Sequence, residues 1–244
     1  MVGFNSEKKY PNQLMSIFKI FILLVIFIGM GQVFFRNNQD NLRKARQQII
    51  STLYGSPPLI MGDGDPHIRA LMRTISSSEA NYVNPYNIVY GGYYTDDLTK
   101  HPNRCILIST GPNKGDCSTA SGRYQFLNTT WYEKSRLYHP QSSINNKKNY
   151  SFEAIYQDKV LYAWLTDSEA WEKDILTLLK EDKIEEVLEL LSPTWTSLGY
   201  GIEDNVMTKH LPKIYRKLLA EELKAQSEKN DLNNNNQDQA PVNN

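Results

Sequence analysis

Residues 65–79, DPHIRALMRTISSSE, predict one helix that ends on a carboxylate. Asp65 can cap the first turn, and Pro66 stands at the first helical position, where proline is tolerated. Glu79 falls on an apolar stripe at helical spacing, which also carries Ile68, Leu71, Met72 and Ile75. Partial burial and the negative end of the helix dipole would both favour a protonated Glu79, as a general acid near neutral pH requires. The alternative is a solvated glutamate at a frayed helix end.

Composition excludes several classes of function. The chain has 244 residues with 27 basic and 27 acidic side chains, so its net charge is zero and nucleic acid is not an expected partner. No cysteine or histidine cluster suggests zinc, no Ser/His/Asp triad has supporting spacing and no phosphate-binding glycine loop is present, so neither a metal nor a cofactor is predicted. Cys105 and Cys117 could bridge a short loop in an oxidising compartment, or could be two free thiols.

The N-terminal region predicts a membrane anchor. Residues 17–35 are almost continuously apolar, and roughly 19 helical residues can just cross a bilayer. Residues 1–16 would then be a short cytoplasmic N-terminus. A cleaved signal peptide is the competing interpretation, since Gly29 and Gly31 form a weak cleavage site before Gln32. Flanking lysines and arginines occur on both sides, so charge leaves the orientation open.

The rest of the chain predicts one α+β domain between polar flanks. Residues 36–65 are charged and then rich in Gly, Pro and Asp, which indicates a linker. Residues 66–225 hold β-prone residues around a glycine turn near the front, followed by helical periodicity from Thr130 onward. We therefore expect a small β-sheet near the front with helices behind. The Asn/Gln-rich residues 226–244 should be disordered.

Two segments carry candidate ligand-binding groups. Residues 118–126, STASGRYQF, are dense in side chains that bind hydroxyl and N-acetyl groups, although a structural turn would use the same residues. Residues 195–201, WTSLGYG, form a second aromatic, glycine-bearing loop that could line a cleft.

An ordered set of short motifs resembles the lambda-type phage endolysins over most of residues 66–220. After Ser78-Glu79 the matching motifs are, in order, YNIVYGG at residues 86–92, KHP at 100–102, STxxGRYQ at 118–125, QD at 157–158, WTSL at 195–198 and GYG at 199–201. The resemblance implies a lysozyme-like α+β fold and a lytic transglycosylase that cleaves the glycan of bacterial peptidoglycan. Glu79 matches the catalytic glutamate of that family, and the residues expected to bind substrate are Asn87, Tyr93, Arg123, Tyr124, Gln125 and Tyr200. At Asn87 this chain departs from a family member that has aspartate.

This chemistry needs only one carboxyl group. Glu79 would protonate the oxygen between N-acetylmuramic acid and N-acetylglucosamine, and its carboxylate would then accept the proton of the muramoyl 6-hydroxyl as a 1,6-anhydro ring closes. A muramidase on the same fold is the first alternative, with Asp96 or Asp97 as second carboxylate. A non-catalytic wall-binding or scaffold protein is the second.

The domain must face the wall for this activity. We therefore expect a single-pass inner-membrane protein with a cytoplasmic N-terminus and a periplasmic domain. A bacterial wall enzyme and a phage-encoded lysin with a signal anchor both fit this arrangement, and a periplasmic domain would allow the Cys105–Cys117 bridge.

Overall fold

The computed structural model describes residues 56–109, 111, 113–141, 150–201 and 207–237. The predicted cytoplasmic N-terminus at 1–16, the anchor at 17–35 and the linker up to residue 55 lie outside this part of the chain. Within it, no helix combines the length and the apolar character that crossing a membrane requires.

Seven α-helices and four two-residue strands are present in the described residues. The helices are α1 (Pro66–Glu79), α2 (Asn128–Tyr138), α3 (Ala154–Thr166), α4 (Ser168–Trp171), α5 (Ile175–Lys180), α6 (Ile184–Leu191) and α7 (Leu211–Gln237). The strands are β1 (Ile88–Val89), β2 (Tyr93–Tyr94), β3 (Ile106–Leu107) and β4 (Cys117–Ser118). Strands near the front and helices behind confirm the predicted α+β class.

Helix α1 is the centre of the domain. Asp65 caps it by accepting a 2.8 Å hydrogen bond from the backbone N–H of His67, and Pro66 is its first residue, both as predicted. The four apolar residues of its predicted stripe are completely buried. The helix is enclosed well beyond that stripe, because α7 packs along it and α3 and α5 also contact it.

Two arginines in α1 are neutralised by α7. Arg73 is only 3% exposed, and its Nη1 donates to Glu222 at 2.9 Å while its Nη2 donates to Glu221 at 2.7 Å. Arg69 donates to the other oxygen of Glu222 at 2.6 Å. A buried charge is tolerated only when it is paired and hydrogen-bonded, so this cluster lets a partly polar helix lie inside the core.

The β structure consists of two separate antiparallel pairs where the sequence predicted one small sheet. Strands β1 and β2 pair around the glycine turn, and β3 pairs with β4. A disulfide joins Cys105 to Cys117 across the second pair, with the Cα atoms 5.2 Å apart, so the alternative of two free thiols is excluded.

Both predicted boundaries of the domain need correction. Residues 56–65 were assigned to the linker, but Ser56, Leu59 and Met61 are buried and belong to the packed domain. The expected disorder of residues 226–244 is contradicted as far as Gln237, because α7 continues to that residue. Gln226, Glu228 and Lys229 favour helix, so exposed side chains do not prevent the continuation of α7 beyond residue 225. Residues 238–244 lie outside the described part.

Candidate active site

Glu79 lies at the last position of α1 and is half-buried. Ser197 Oγ donates a 2.5 Å hydrogen bond to Glu79 Oε1. Ser78 Oγ in turn lies 2.9 Å from both the carbonyl oxygen and the hydroxyl of Ser197. The carboxyl group is therefore held by a side chain that is itself anchored to the neighbouring residue of α1.

Ser197 belongs to the short 3₁₀ turn Thr196–Leu198, and the residues around the turn fix its place. Trp195 is buried, and its indole N–H donates to the carbonyl of Tyr124 at 2.9 Å. Gly199 has φ of +91°, and a Cβ there would lie 2.1 Å from Thr208 Oγ1, so this position requires glycine. The turn is thus held from both ends against the end of α1.

The segment at residues 118–126 supports this turn, because the carbonyl of Tyr124 accepts the Trp195 hydrogen bond. Gly122 has φ of +76°, and a Cβ there would lie 2.3 Å from Gln157 Oε1. Gln157 is completely buried; it accepts from the backbone N–H of Arg123 at 2.9 Å and donates to the carbonyls of Tyr86 and Phe152. The close approach of Gln157 to this backbone explains why glycine precedes Arg123.

Arg123 and Tyr124 were expected to bind substrate, and the structure contradicts this because both are fully buried. Arg123 donates to the carbonyl of Pro58 at 3.0 Å, to Tyr86 Oη at 2.9 Å and to Ser56 Oγ at 2.7 Å. Tyr124 donates to Asp158 at 2.6 Å. Their polar atoms form hydrogen bonds with other residues of the domain. Arg123 and Tyr124 are therefore core residues that support the site.

The Asp158 carboxylate is the centre of this buried network. Besides Tyr124, it accepts hydrogen bonds from Tyr86 Oη at 2.8 Å and from the backbone N–H groups of Ile60 at 2.8 Å and Met61 at 3.1 Å. Burial, followed by the charge of Asp158, raises the pKa of the Tyr124 phenol well above its ordinary value. Tyr124 therefore remains a neutral donor to the carboxylate.

Asn87 and Gln125, also expected at the substrate, make structural hydrogen bonds. Asn87 Nδ2 donates to the carbonyl of Thr95 at 2.8 Å and so closes the base of the β1–β2 hairpin. Gln125 Nε2 donates to the carbonyl of Gly122 at 2.9 Å. Both side chains are half-buried.

Tyr93 and Tyr200, the remaining residues expected to bind substrate, differ in their surroundings. Tyr93 is 54% exposed on β2, with the Arg104 guanidinium 5.9 Å from its ring centroid. Tyr200 packs against the core, where burial, followed by the charges of Glu185 and Glu189 on α6, raises its pKa. Tyr93 thus stays available to a ligand, whereas Tyr200 is partly enclosed by the core.

Two serines that position Glu79 were not predicted as site residues. Ser197 holds its carboxyl group, and Ser78 anchors Ser197. The only sequence signal for Ser197 was its place in the WTSL loop, which was predicted to line a cleft. Nothing in the spacing could indicate that this serine meets a carboxylate 118 residues earlier.

The two alternative carboxylates are exposed. Asp97 accepts hydrogen bonds from Thr99 Oγ1 at 2.6 Å and from its backbone N–H at 3.0 Å, and these bonds lower the pKa of Asp97. Asp97 therefore stabilises a local turn. In the described part of the chain, no group of three or more His, Cys, Asp or Glu side chains could hold a metal ion.

Comparison with known proteins gives one family and two similar structures. The family model described as Endolysin matches residues 69–222. The lysozyme of bacteriophage lambda in complex with a chitohexasaccharide is 21% identical, with a TM-score of 0.48, over 65% of this chain and 97% of the lysozyme. A second structure of lysozyme from bacteriophage lambda is 20% identical, with a TM-score of 0.45, over 68% and 97% of the two chains. No curated protein matches the chain.

We expect Asp158→Asn to lower the free energy of unfolding by about 3 kcal/mol or more, because it removes a buried charge on which four donors converge. Urea unfolding of the full chain, followed by tryptophan fluorescence, measures the change. The exposed Asp96→Asn is the matched control and should stay within about 0.5 kcal/mol of the wild type. Equal stabilities for the two variants would contradict a central role for Asp158.

Proposed function

The chain belongs to the Endolysin family, and on this premise we propose that it is a peptidoglycan lytic transglycosylase with Glu79 as general acid and base. Membership in this family supports a peptidoglycan-cleaving enzyme. The observation that carries the finer proposal is the half-buried Glu79, held through Oε1 by Ser197 at the end of a buried helix.

The reaction uses the same carboxyl group twice. Protonated Glu79 donates its proton to the oxygen between N-acetylmuramic acid and N-acetylglucosamine as the bond from that oxygen to C1 of the muramoyl residue breaks. The muramoyl 6-hydroxyl oxygen then bonds to C1, and its proton passes to the Glu79 carboxylate. Glu79 returns to its acid form, and no water is consumed.

The environment of Glu79 suits this double role. A carboxyl group that must donate and later accept a proton needs one stable orientation relative to the bond that breaks. The hydrogen bond from Ser197, itself anchored by Ser78, provides that restraint. A hydrolase normally needs a second carboxylate held in the cleft; the two candidates, Asp96 and Asp97, are both exposed, and Asp97 accepts its hydrogen bonds from Thr99.

Glu79→Gln should abolish the release of muropeptides, with a loss of activity on the order of 10²–10⁴-fold, because the amide cannot transfer the proton. Purified peptidoglycan is incubated with the full chain, and the products are weighed by mass spectrometry. Products ending in 1,6-anhydro-muramic acid, one water lighter than reducing ends, support the transglycosylase.

The matched controls are Asp96→Asn and Asp97→Asn, which make the same kind of substitution at exposed sites. Both should retain full activity. Reducing ends, together with inactivity of either control, would identify a muramidase. No products from folded wild-type protein would favour a wall-binding or scaffold protein.

Ser197→Ala should lower kcat by roughly 10–100-fold and change KM little, because the lost hydrogen bond to a charged group is worth about 1.5–3 kcal/mol. Ser197→Thr retains the hydroxyl and should restore most of the rate. The exposed Ser168→Ala serves as control. A Ser197→Ala enzyme with wild-type kcat would show that this hydrogen bond does not position Glu79 for catalysis.

We also propose that residues 17–35 anchor the protein in the inner membrane and that its domain faces the wall in the periplasm. The Cys105–Cys117 disulfide supports an oxidising compartment. Glycan strands of peptidoglycan would be the substrate, and the lipid bilayer would be the second partner.

Cell fractionation tests this location. The full chain should remain in the membrane fraction after a carbonate wash, and a deletion of residues 17–35 should not. Cys105 and Cys117 should resist alkylation in intact cells until a reductant is added. A soluble periplasmic product whose N-terminus is Gln32 would show that the segment is a cleaved signal peptide.

A further inference from the structure

A cavity of about 450 Å³ lies between the loop that follows β2 and the first turn of α2. The residues that define its chemistry are Lys100, Asn103, Asn128, Trp131, Tyr132 and Tyr150. None of the Glu79–Ser197 network lines it. Its volume is within the range, about 300–1,000 Å³, of pockets that bind small ligands.

Two tyrosines form an aromatic wall of this cavity. The rings of Tyr132 and Tyr150 are 6.3 Å apart between centroids and tilted by 54°. Tyr132 is 45% exposed, so much of its ring is open to a ligand. Such a wall binds the apolar stem of a ligand and leaves the phenol groups for its polar atoms.

The cavity is rich in hydrogen-bond donors. Trp131 is 3% exposed, and its Nε1 is buried without a hydrogen-bond partner in the described residues. Asn128 uses its Oδ1 to accept from Thr119, so its amide N–H₂ can donate to a ligand.

The electrostatics of the cavity favour a negative ligand. Lys100 is exposed at its edge, and none of the described residues that line it is acidic. Helix α2 begins at Asn128, so the positive end of its dipole also lies at this cavity. Two acids lie close in sequence to lining residues, and both are bound elsewhere: Asp97 accepts from Thr99, and Glu133 is paired with Lys134.

We propose that this cavity binds the carboxylate-bearing peptide stem of peptidoglycan, with Lys100 and the donors on α2 receiving a stem carboxylate. The inference rests on the proposed function, since the glycan cleaved at Glu79 carries such stems. The Tyr132–Tyr150 wall contacts the aliphatic part of the stem. Recognition of the stem would then select peptide-substituted glycan over bare glycan.

Direct binding tests the cavity without catalysis. The full chain with Glu79→Gln is titrated by calorimetry with the tripeptide L-alanyl-γ-D-glutamyl-meso-diaminopimelate. Saturable binding is expected, and the same tripeptide with its carboxylates converted to amides should bind at least roughly tenfold more weakly. Binding should shift the NMR resonance of the Trp131 indole N–H, which Trp131→Phe identifies.

Two substitutions locate the binding. Lys100→Gln and Tyr132→Ala should each weaken tripeptide binding by about tenfold. Lys213→Gln removes the same charge from an exposed position on α7 and should leave binding unchanged. The proposal would be overturned if the amidated tripeptide bound as tightly as the unmodified one, or if neither cavity variant weakened binding. Binding of chitotetraose that Tyr132→Ala abolishes would make the cavity a glycan subsite and would also overturn it.

Kinetics separate this inference from the proposed function. With Glu79 intact, Lys100→Gln should raise KM about tenfold on peptide-bearing glycan and leave KM unchanged on glycan stripped of its stems by an amidase. If wild-type protein cleaves neither substrate, the proposed function fails while the tripeptide titration still decides the cavity. Cleavage by an enzyme that binds no tripeptide would refute the cavity alone.

Discussion

The buried carboxylate of Asp158 is the interaction on which the domain depends. It accepts from two tyrosine hydroxyls and two backbone N–H groups, and these four donors come from three separate parts of the chain. Arg123 reaches the same network through Tyr86 Oη, so the negative charge has a positive counterpart nearby. A charge in the core is costly unless it is satisfied in this way, which makes the network specific for one arrangement of these segments.

A short chain of hydrogen bonds connects the Asp158 network to the candidate site. The hydroxyl of Tyr124 binds Asp158, and its carbonyl accepts from Trp195. Trp195 begins the turn that brings Ser197 to Glu79. The orientation of the Glu79 carboxyl group therefore depends on a carboxylate in the core that does not contact it. This arrangement places a polar site on rigid supports, as catalysis by positioning requires.

A second charged cluster fixes the other side of α1. Arg69 and Arg73 share Glu222 of α7, and Arg73 also donates to the carbonyl of Ser56. Residues 56–61 are thus held by both clusters, through Arg73 on one side and Asp158 on the other. Their incorporation moves the start of the domain toward the N-terminus and closes the core around α1.

The sequence by itself determined the elements that depend on neighbours along the chain. The cap and the apolar stripe of α1, the glycine turn at residues 91–92 and the α+β class follow from local spacing, and the motif set identified the family. Only the tertiary structure decided what the polar residues do. Arg123 and Tyr124 have the chemistry of ligand-binding residues. They can nevertheless be buried, because Asp158, Tyr86 and Ser56 accept their hydrogen bonds. Ser197 has no local signature, yet it meets Glu79. Hydrogen bonds between segments distant in sequence settle whether a polar group faces a ligand or the core, and a local pattern carries no information about such partners.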